Sequence, residues 1–228
     1  MEVRDTENGD VSVFRSPGVS KNSANLQENQ KRPHFPLSDF LDFLTSGGVY
    51  STIGAMTGYL QVYTGNGKGK TTAALGLAFR AAGHGFKTFV AQFLKGQPTG
   101  EIEAAKRLDP LIRIEQFGRE GFITVKDGPD DEDVSRAKIG LDRALEAMLS
   151  GTYRIVVLDE INTAVHFKIL PEQAVLDVID RRPAGVELVL TGRYAPASFI
   201  DRADLVTEMT PIKHYFDRGV KAREGIEK

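Results

Sequence analysis

The chain has 228 residues, of which 41% are hydrophobic, and this is enough apolar material for one globular domain with an appendage. A formal net charge of −2, from 29 basic and 31 acidic residues, argues against general binding to nucleic acid or an anionic membrane. The absence of cysteine excludes disulfides and thiolate chemistry. The sequence contains no uninterrupted apolar run of about 18 residues, the length that would predict a membrane span. We therefore expect a cytoplasmic protein.

The first 57 residues are predicted to be an extension of a main domain at 58–228. Residues 1 to about 34 are rich in Asn, Ser, Asp, Glu and Gln, a composition that predicts a flexible, disordered arm. Acidic residues near the start disfavour the alternative of a transit peptide.

A short helix is predicted within residues 36–44, where Ser38 is a suitable cap and Gly47 would end the helix. Its apolar residues would pack on their own core. The alternatives are that they cover a ligand site or reach a partner subunit.

The main domain alternates short β-rich runs with helical patterns, which predicts repeated βα units around a mostly parallel sheet with helices on both faces. Two of the runs are apolar without alternation, as expected for strands buried on both sides. The predicted strands are Tyr59–Thr64, Thr88–Leu94, Ile112–Phe117, Arg154–Asp159, Glu187–Thr191 and Leu205–Met209.

Two later helices are indicated by spacing and by proline. Apolar residues recur every three or four positions between Val134 and Met148, which predicts an amphipathic helix. Pro171 is expected in the first turn of the next helix, and Pro183 is expected to end it.

The first strand runs directly into a glycine-rich phosphate loop. The loop, Thr64-Gly65-Asn66-Gly67-Lys68-Gly69-Lys70-Thr71-Thr72, is followed by a helical pattern, which is the context a phosphate-binding loop requires. Glycines let backbone N–H groups surround a phosphate, Lys70 supplies charge and Thr71 a hydroxyl for Mg²⁺. The usual glycine five positions before the Gly-Lys pair is Thr64 here. The motif predicts a P-loop NTPase-like (RecA-like) α/β fold.

An acidic pair, Asp159 and Glu160, follows a buried strand. Carboxylates at the end of such a strand, near the phosphate loop, are placed to hold Mg²⁺ directly or through water. The alternative is that they only cap the next segment. The pair alone does not separate ATP hydrolysis from another reaction.

Five segments together resemble the P-loop type of ATP:corrinoid adenosyltransferase. The resemblance runs from about Gly58 to the end of the chain, and its most specific part is the C-terminal stretch beside this variant loop. The segments are Thr64–Thr72, Gln92–Gly96, Val157–Glu160, Leu190–Arg193 and Lys213–Glu227.

This resemblance implies transfer of the 5′-deoxyadenosyl group of ATP to the reduced cobalt of a corrinoid, with release of triphosphate. The cobalt is the nucleophile, so the protein needs no catalytic base of its own. Loop residues 64–72, with Lys95 and Arg193, would bind ATP; Thr71, Glu160 and Asp159 would hold Mg²⁺ or Mn²⁺.

The resemblance also implies that Phe122 and Thr124 face the corrinoid, although Phe122 is equally a candidate core aromatic. His84, His166 and His214 are interpreted as ordinary loop or core residues, since a coordinating histidine would oppose the four-coordinate cobalt that this chemistry needs. Expected partners are an electron-donating flavoprotein or other reductase and a second copy in a homodimer.

Two other functions are also compatible with the sequence. The phosphate loop and acidic pair alone would suit an ATPase or a small-molecule kinase, although neither explains the C-terminal stretch. The chain could also be a non-enzymatic protein that responds to nucleotide and binds corrinoid without turnover.

Overall fold

The computed structural model describes residues 56–119 and 129–227. The predicted arm and short helix, and the candidate corrinoid residues Phe122 and Thr124, lie outside these ranges. Within them, no helix is both long and apolar enough to cross a membrane.

The described residues form a six-stranded parallel sheet in the order β3-β2-β4-β5-β1-β6. In chain order, the strands are β1 Leu60–Thr64, β2 Thr88–Phe93, β3 Ile112–Phe117, β4 Ile155–Asp159, β5 Glu187–Thr191 and β6 Leu205–Glu208. The helices are α1 Lys70–Ala82, α2 Gly100–Arg107, α3 Asp131–Leu149, α4 Ile161–His166, α5 Glu172–Asp180 and α6 Ala197–Arg202, followed by a 3₁₀ helix at Tyr215–Arg218. The predicted P-loop NTPase-like α/β fold is confirmed.

Helices cover both faces of the sheet, and the side chains of strand β4 pack against helices on each face. Ile155 and Val157 belong to the apolar cluster that includes Ala74 of α1. Val156 and Leu158 point the other way, into the larger cluster that includes α3. A continuous apolar run is needed here because a strand alternates its side chains and neither face meets water.

The predicted strand ends are correct to within one residue, and the differences have local causes. Strand β2 stops at Phe93 because Leu94 adopts a positive φ of 61°, which no strand residue can keep. Helix α5 begins at Glu172, so Pro171 is its extended cap residue and not part of its first turn. The helix ends at Asp180, three residues before Pro183.

The sheet brings the proposed functional residues to one edge. Because all strands are parallel, the ends of β1, β2, β4 and β5 meet on the same side, where ligands bind in open α/β sheets. Gln92 pairs in register with Asp159, and Tyr63 pairs with Thr191.

Candidate active site

The phosphate loop packs closely against the backbone that follows β6. The N–H of Gly67 donates to the carbonyl of Met209 at 2.6 Å. A Cβ atom on Gly67 would lie 2.6 Å from that oxygen, and one on Gly65, whose φ is +92°, would lie 2.5 Å away. Both positions therefore require glycine for steric reasons as well as for their backbone N–H groups.

Lys70, the first residue of α1, is held inside the loop and is only 7% exposed. Its ammonium donates to the carbonyls of Gly65 at 2.8 Å and Gly67 at 2.7 Å. Burial lowers the pKa of Lys70, and the negative charge of Glu160 opposes that shift only in part. A polyphosphate in the loop would supply the counter-charge that this lysine lacks.

A cavity of about 580 Å³ opens over the loop and collects most of the predicted binding residues. Ten of them line it: Asn66, Gly67, Lys68, Gly69, Lys70, Thr71, Thr72, Lys95, Glu160 and Arg193. Thr64, Gly65 and Asp159 do not. Thr64 is buried, and its hydroxyl accepts a hydrogen bond from the N–H of Ala195 at 3.3 Å.

Asp159 is fully buried beneath the cavity, and both of its oxygens are occupied. Oδ1 accepts from the hydroxyls of Thr71 at 2.8 Å and Thr191 at 2.7 Å. Oδ2 accepts from Lys95 Nζ at 2.8 Å and Gln92 Nε2 at 3.2 Å. These four donors occupy the lone-pair positions of the carboxylate in this arrangement.

The most consequential of these contacts is with Thr71. Because its hydroxyl donates to Asp159, the oxygen of Thr71 can act only as an acceptor toward its other neighbours. Lys95 Nζ donates to that oxygen at 3.4 Å, which leaves one lone pair of Thr71 for another ligand. Burial works against the charge on Lys95, but the neighbouring carboxylate of Asp159, helped by Glu101 and Glu160, raises its pKa above the ordinary value.

Glu160 presents the second carboxylate of the acidic pair from a strained backbone position. Its φ is +65°, in the left-handed region that is uncommon for residues other than glycine. Its N–H donates to Thr191 Oγ1 at 2.9 Å, and its Oε2 accepts from the hydroxyl of Thr163 at 2.6 Å. Thr163 Oγ1 also accepts from the N–H of Arg193 at 3.0 Å, which links the ends of β4 and β5.

Backbone strain recurs at three strand ends around the cavity. Leu94, Glu160 and Tyr194 have φ values of 61°, 65° and 60°. Glu160 itself lines the cavity. Leu94 immediately precedes the cavity residue Lys95, and Tyr194 immediately follows the cavity residue Arg193. Non-glycine residues with such φ values concentrate at functional sites, where the surrounding structure maintains them.

Sequence reasoning missed several residues of the cavity. These are Leu75, Gly100, Glu101, His214, Gly225, Ile226 and Glu227. His214, interpreted as an ordinary loop residue, lines this cavity and an adjoining one of about 440 Å³. The C-terminal stretch could have indicated some of these residues, because it carries the most specific part of the resemblance. No local pattern in it indicates which residues return to the loop.

Comparison with known proteins identifies the family. The model of the family described as "ATP:corrinoid adenosyltransferase BtuR/CobO/CobP" matches residues 56–227. The chain is 40% identical over 171 residues to a corrinoid adenosyltransferase of Pseudomonas aeruginosa, covering 75% of this chain and 83% of the relative. It is 38% identical over 171 residues to corrinoid adenosyltransferases of Escherichia coli and Salmonella typhimurium, covering 75% of this chain and 85% of each relative. The chain therefore belongs to the ATP:corrinoid adenosyltransferase BtuR/CobO/CobP family.

Proposed function

We propose that this protein transfers the 5′-deoxyadenosyl group of ATP to the reduced cobalt of a corrinoid and releases triphosphate, in adenosylcobalamin biosynthesis or corrinoid salvage. The proposal rests on family membership together with one structural observation. The cavity over the phosphate loop joins Lys68, Lys70, Lys95 and Arg193 to the carboxylate of Glu160, which a hydrogen bond from Thr163 orients. That combination suits a polyphosphate with a divalent cation.

The reaction balances without a protein nucleophile or base. Cobalt in the +1 state donates an electron pair to C5′ of ATP, and the new cobalt–carbon bond leaves cobalt formally in the +3 state. The C5′–oxygen bond breaks, and its electron pair leaves with the triphosphate. The protein has to bring two substrates into attack geometry and stabilise charge on the departing oxygen.

The cationic side chains are suited to that stabilisation. Lys70 is already held at the loop by the carbonyls of Gly65 and Gly67, so little side-chain motion is required for contact with a phosphate. Lys68 is exposed at the cavity wall, and Lys95 borders the same space. We assign phosphate contacts to Lys68 and Lys70, and a place near the nucleotide to Lys95 and Arg193.

A divalent cation fits the donor set of Thr71 and Glu160. Thr71 offers one oxygen lone pair, since its proton is directed at Asp159 and Lys95 donates to the other. Glu160 offers a carboxylate whose second oxygen accepts a hydrogen bond from Thr163. Oxygen ligands from one carboxylate and one hydroxyl, completed by substrate phosphates, are typical of Mg²⁺ sites. When bound, Mg²⁺ or Mn²⁺ neutralises charge on the polyphosphate. We assign Asp159 to orienting Thr71.

The remaining assignments are expectations from the family. Phe122 and Thr124 are proposed to face the corrinoid, a flavoprotein or other reductase to supply electrons, and a second copy to complete a homodimer. The chain would work in the cytoplasm.

Visible spectroscopy tests the proposal. Purified protein is mixed anaerobically with Mg²⁺, ATP and a chemically reduced corrinoid, and the spectrum is followed before and after illumination. We expect a cobalt–carbon product whose spectrum is lost in light, and no such product when ATP or reductant is omitted. An ATP-consuming protein that never forms a light-sensitive corrinoid would refute the assignment.

A further inference from the structure

The C-terminal segment, residues 209–227, includes the most specific part of the family resemblance, but none of its residues is among those assigned to ATP or the metal. It begins at the phosphate loop, where the Met209 carbonyl accepts from the N–H of Gly67. After the 3₁₀ helix at Tyr215–Arg218 the segment returns to the same cavity. Gly225, Ile226 and Glu227 line the cavity beside loop residues that we assign to ATP. Both ends of this segment therefore contact the nucleotide site.

One carboxylate fixes the returning end. Glu227 accepts hydrogen bonds from the hydroxyl of Tyr215 and from the N–H of Arg223 at 2.9 Å. The guanidinium of Arg223 also donates to it, from Nη2 at 3.1 Å and from Nε at 3.3 Å. The same guanidinium lies over the Tyr215 ring, 5.0 Å from its centroid. Glu227 thus joins Tyr215 and Arg223, which are separated along the segment.

This cluster holds the backbone of Ile226 against the phosphate loop. The carbonyl of Ile226 accepts from Lys68 Nζ at 3.4 Å, so the last turn reaches a lysine that we assign to phosphate binding. Ile226 is 56% exposed, so apolar burial does not account for the position of the turn. The polar contacts of Glu227 account for it.

Glu227 places a negative charge in the wall of a cavity that we assign to a negatively charged polyphosphate. Glu227 is 17% exposed in its side chain, and its charge is paired with Arg223. The hydrogen bonds from Arg223 and Tyr215 lower the pKa of Glu227 to about 2, so the carboxylate stays ionised and paired at any physiological pH. Its negative charge is directed to donors of its own segment and not to the ligand.

We propose that residues 225–227 form one wall of the nucleoside-triphosphate site and that Glu227 is the positioning residue that holds this wall in place. The inference rests on the proposed function only for the identity of the ligand, ATP. Loss of the carboxylate charge would weaken the bonds from Arg223 and Tyr215, and the wall would no longer be held beside Lys68. ATP binding should weaken, while the chemistry of bound ATP should change little.

Calorimetry with Mg²⁺ and ATP tests this without corrinoid, comparing Glu227→Gln with the wild-type protein. We expect the dissociation constant to rise about tenfold, which is the size expected for loss of charge-assisted hydrogen bonds. Tyr215→Phe, which removes one donor, should give a smaller rise. Glu224→Gln is the matched control, because Glu224 is exposed in the same segment and does not line the cavity. Its dissociation constant should be unchanged.

In turnover, Glu227→Gln should raise the KM for ATP by a similar factor and leave kcat within about twofold. Binding of ATP by Glu227→Gln within twofold of the wild type would overturn the inference. A wild-type protein that binds ATP but forms no adenosylated corrinoid would refute the proposed function instead, so the two failures are distinguishable.

Discussion

Replacing Asp159 by asparagine should destabilise the protein and disturb the metal site together, although this side chain does not line the cavity. Asparagine keeps the shape of aspartate but has one acceptor oxygen and one NH₂ donor in place of two acceptors. Asp159 faces four donors, two on each oxygen. Neither orientation of the amide satisfies all of them.

Each orientation carries its own cost. In either orientation the ammonium of Lys95 loses its ion-pair partner at 2.8 Å, because asparagine carries no charge. With the amide NH₂ toward Lys95 and Gln92, donors also face donors. With the NH₂ toward Thr71 and Thr191, their hydroxyls must turn to accept, which uses the lone pair of Thr71 that we assign to Mg²⁺. Removing one partner of a fully buried pair costs about 3 to 5 kcal/mol. Because the Lys95 side chain is 28% exposed, we expect a smaller loss of unfolding free energy, about 2 to 3 kcal/mol.

Urea denaturation of Asp159→Asn and the wild-type protein measures this loss. Asp142→Asn is the control, because Asp142 is an exposed aspartate on α3 and should change the unfolding free energy by less than about 0.5 kcal/mol. Mn²⁺ binding in the presence of ATP, followed by electron paramagnetic resonance, should weaken in the first variant and not in the control. An Asp159→Asn protein as stable as the control, with unchanged Mn²⁺ affinity, would refute the role given to this side chain.

Three further predictions concern the charged groups of the cavity. Lys70→Ala should lose about 2 to 3 kcal/mol of ATP-binding free energy by calorimetry while circular dichroism shows an intact fold; unchanged affinity would remove the loop from the site. Glu160→Gln should require more Mg²⁺ for half-maximal turnover, because an amide lacks the balancing charge, and normal Mg²⁺ dependence would contradict the metal assignment. The Lys95–Asp159 pair should stabilise the fold fully below the ordinary lysine pKa of 10.5, and this contribution should disappear as pH rises through the raised pKa of Lys95. Unfolding free energies of the wild type and Lys95→Met should therefore converge only above about pH 10.5; convergence near neutral pH would contradict the pairing.

The sheet could be predicted from the sequence because its signals are local. Buried parallel strands need unbroken apolar runs such as Ile155–Leu158, and the phosphate loop is a contiguous motif between a strand and a helix. The one-residue error at the end of β2 arose because nothing in the residue type of Leu94 indicates a positive φ. Tertiary packing imposes that conformation.

The site could be predicted only in part, since its finer contacts depend on strand order. Asp159 is saturated because β2, β4 and β5 bring Gln92, Lys95 and Thr191 to it, from 67, 64 and 32 positions away in the chain. The return of Ile226 to Lys68 likewise spans 158 positions. Residue types indicated which groups could bind a polyphosphate. They did not indicate which carboxylate is open and which is occupied.

The proposed reaction breaks the bond of ATP between C5′ and oxygen. Phosphorus NMR of a reaction containing the protein, Mg²⁺, ATP and a reduced corrinoid identifies the phosphate product directly. We predict intact triphosphate, formed only when corrinoid and reductant are both present and in step with the adenosylated corrinoid. ADP as the main nucleotide product, at a rate indifferent to corrinoid, would contradict the adenosyltransferase assignment and favour an ATPase.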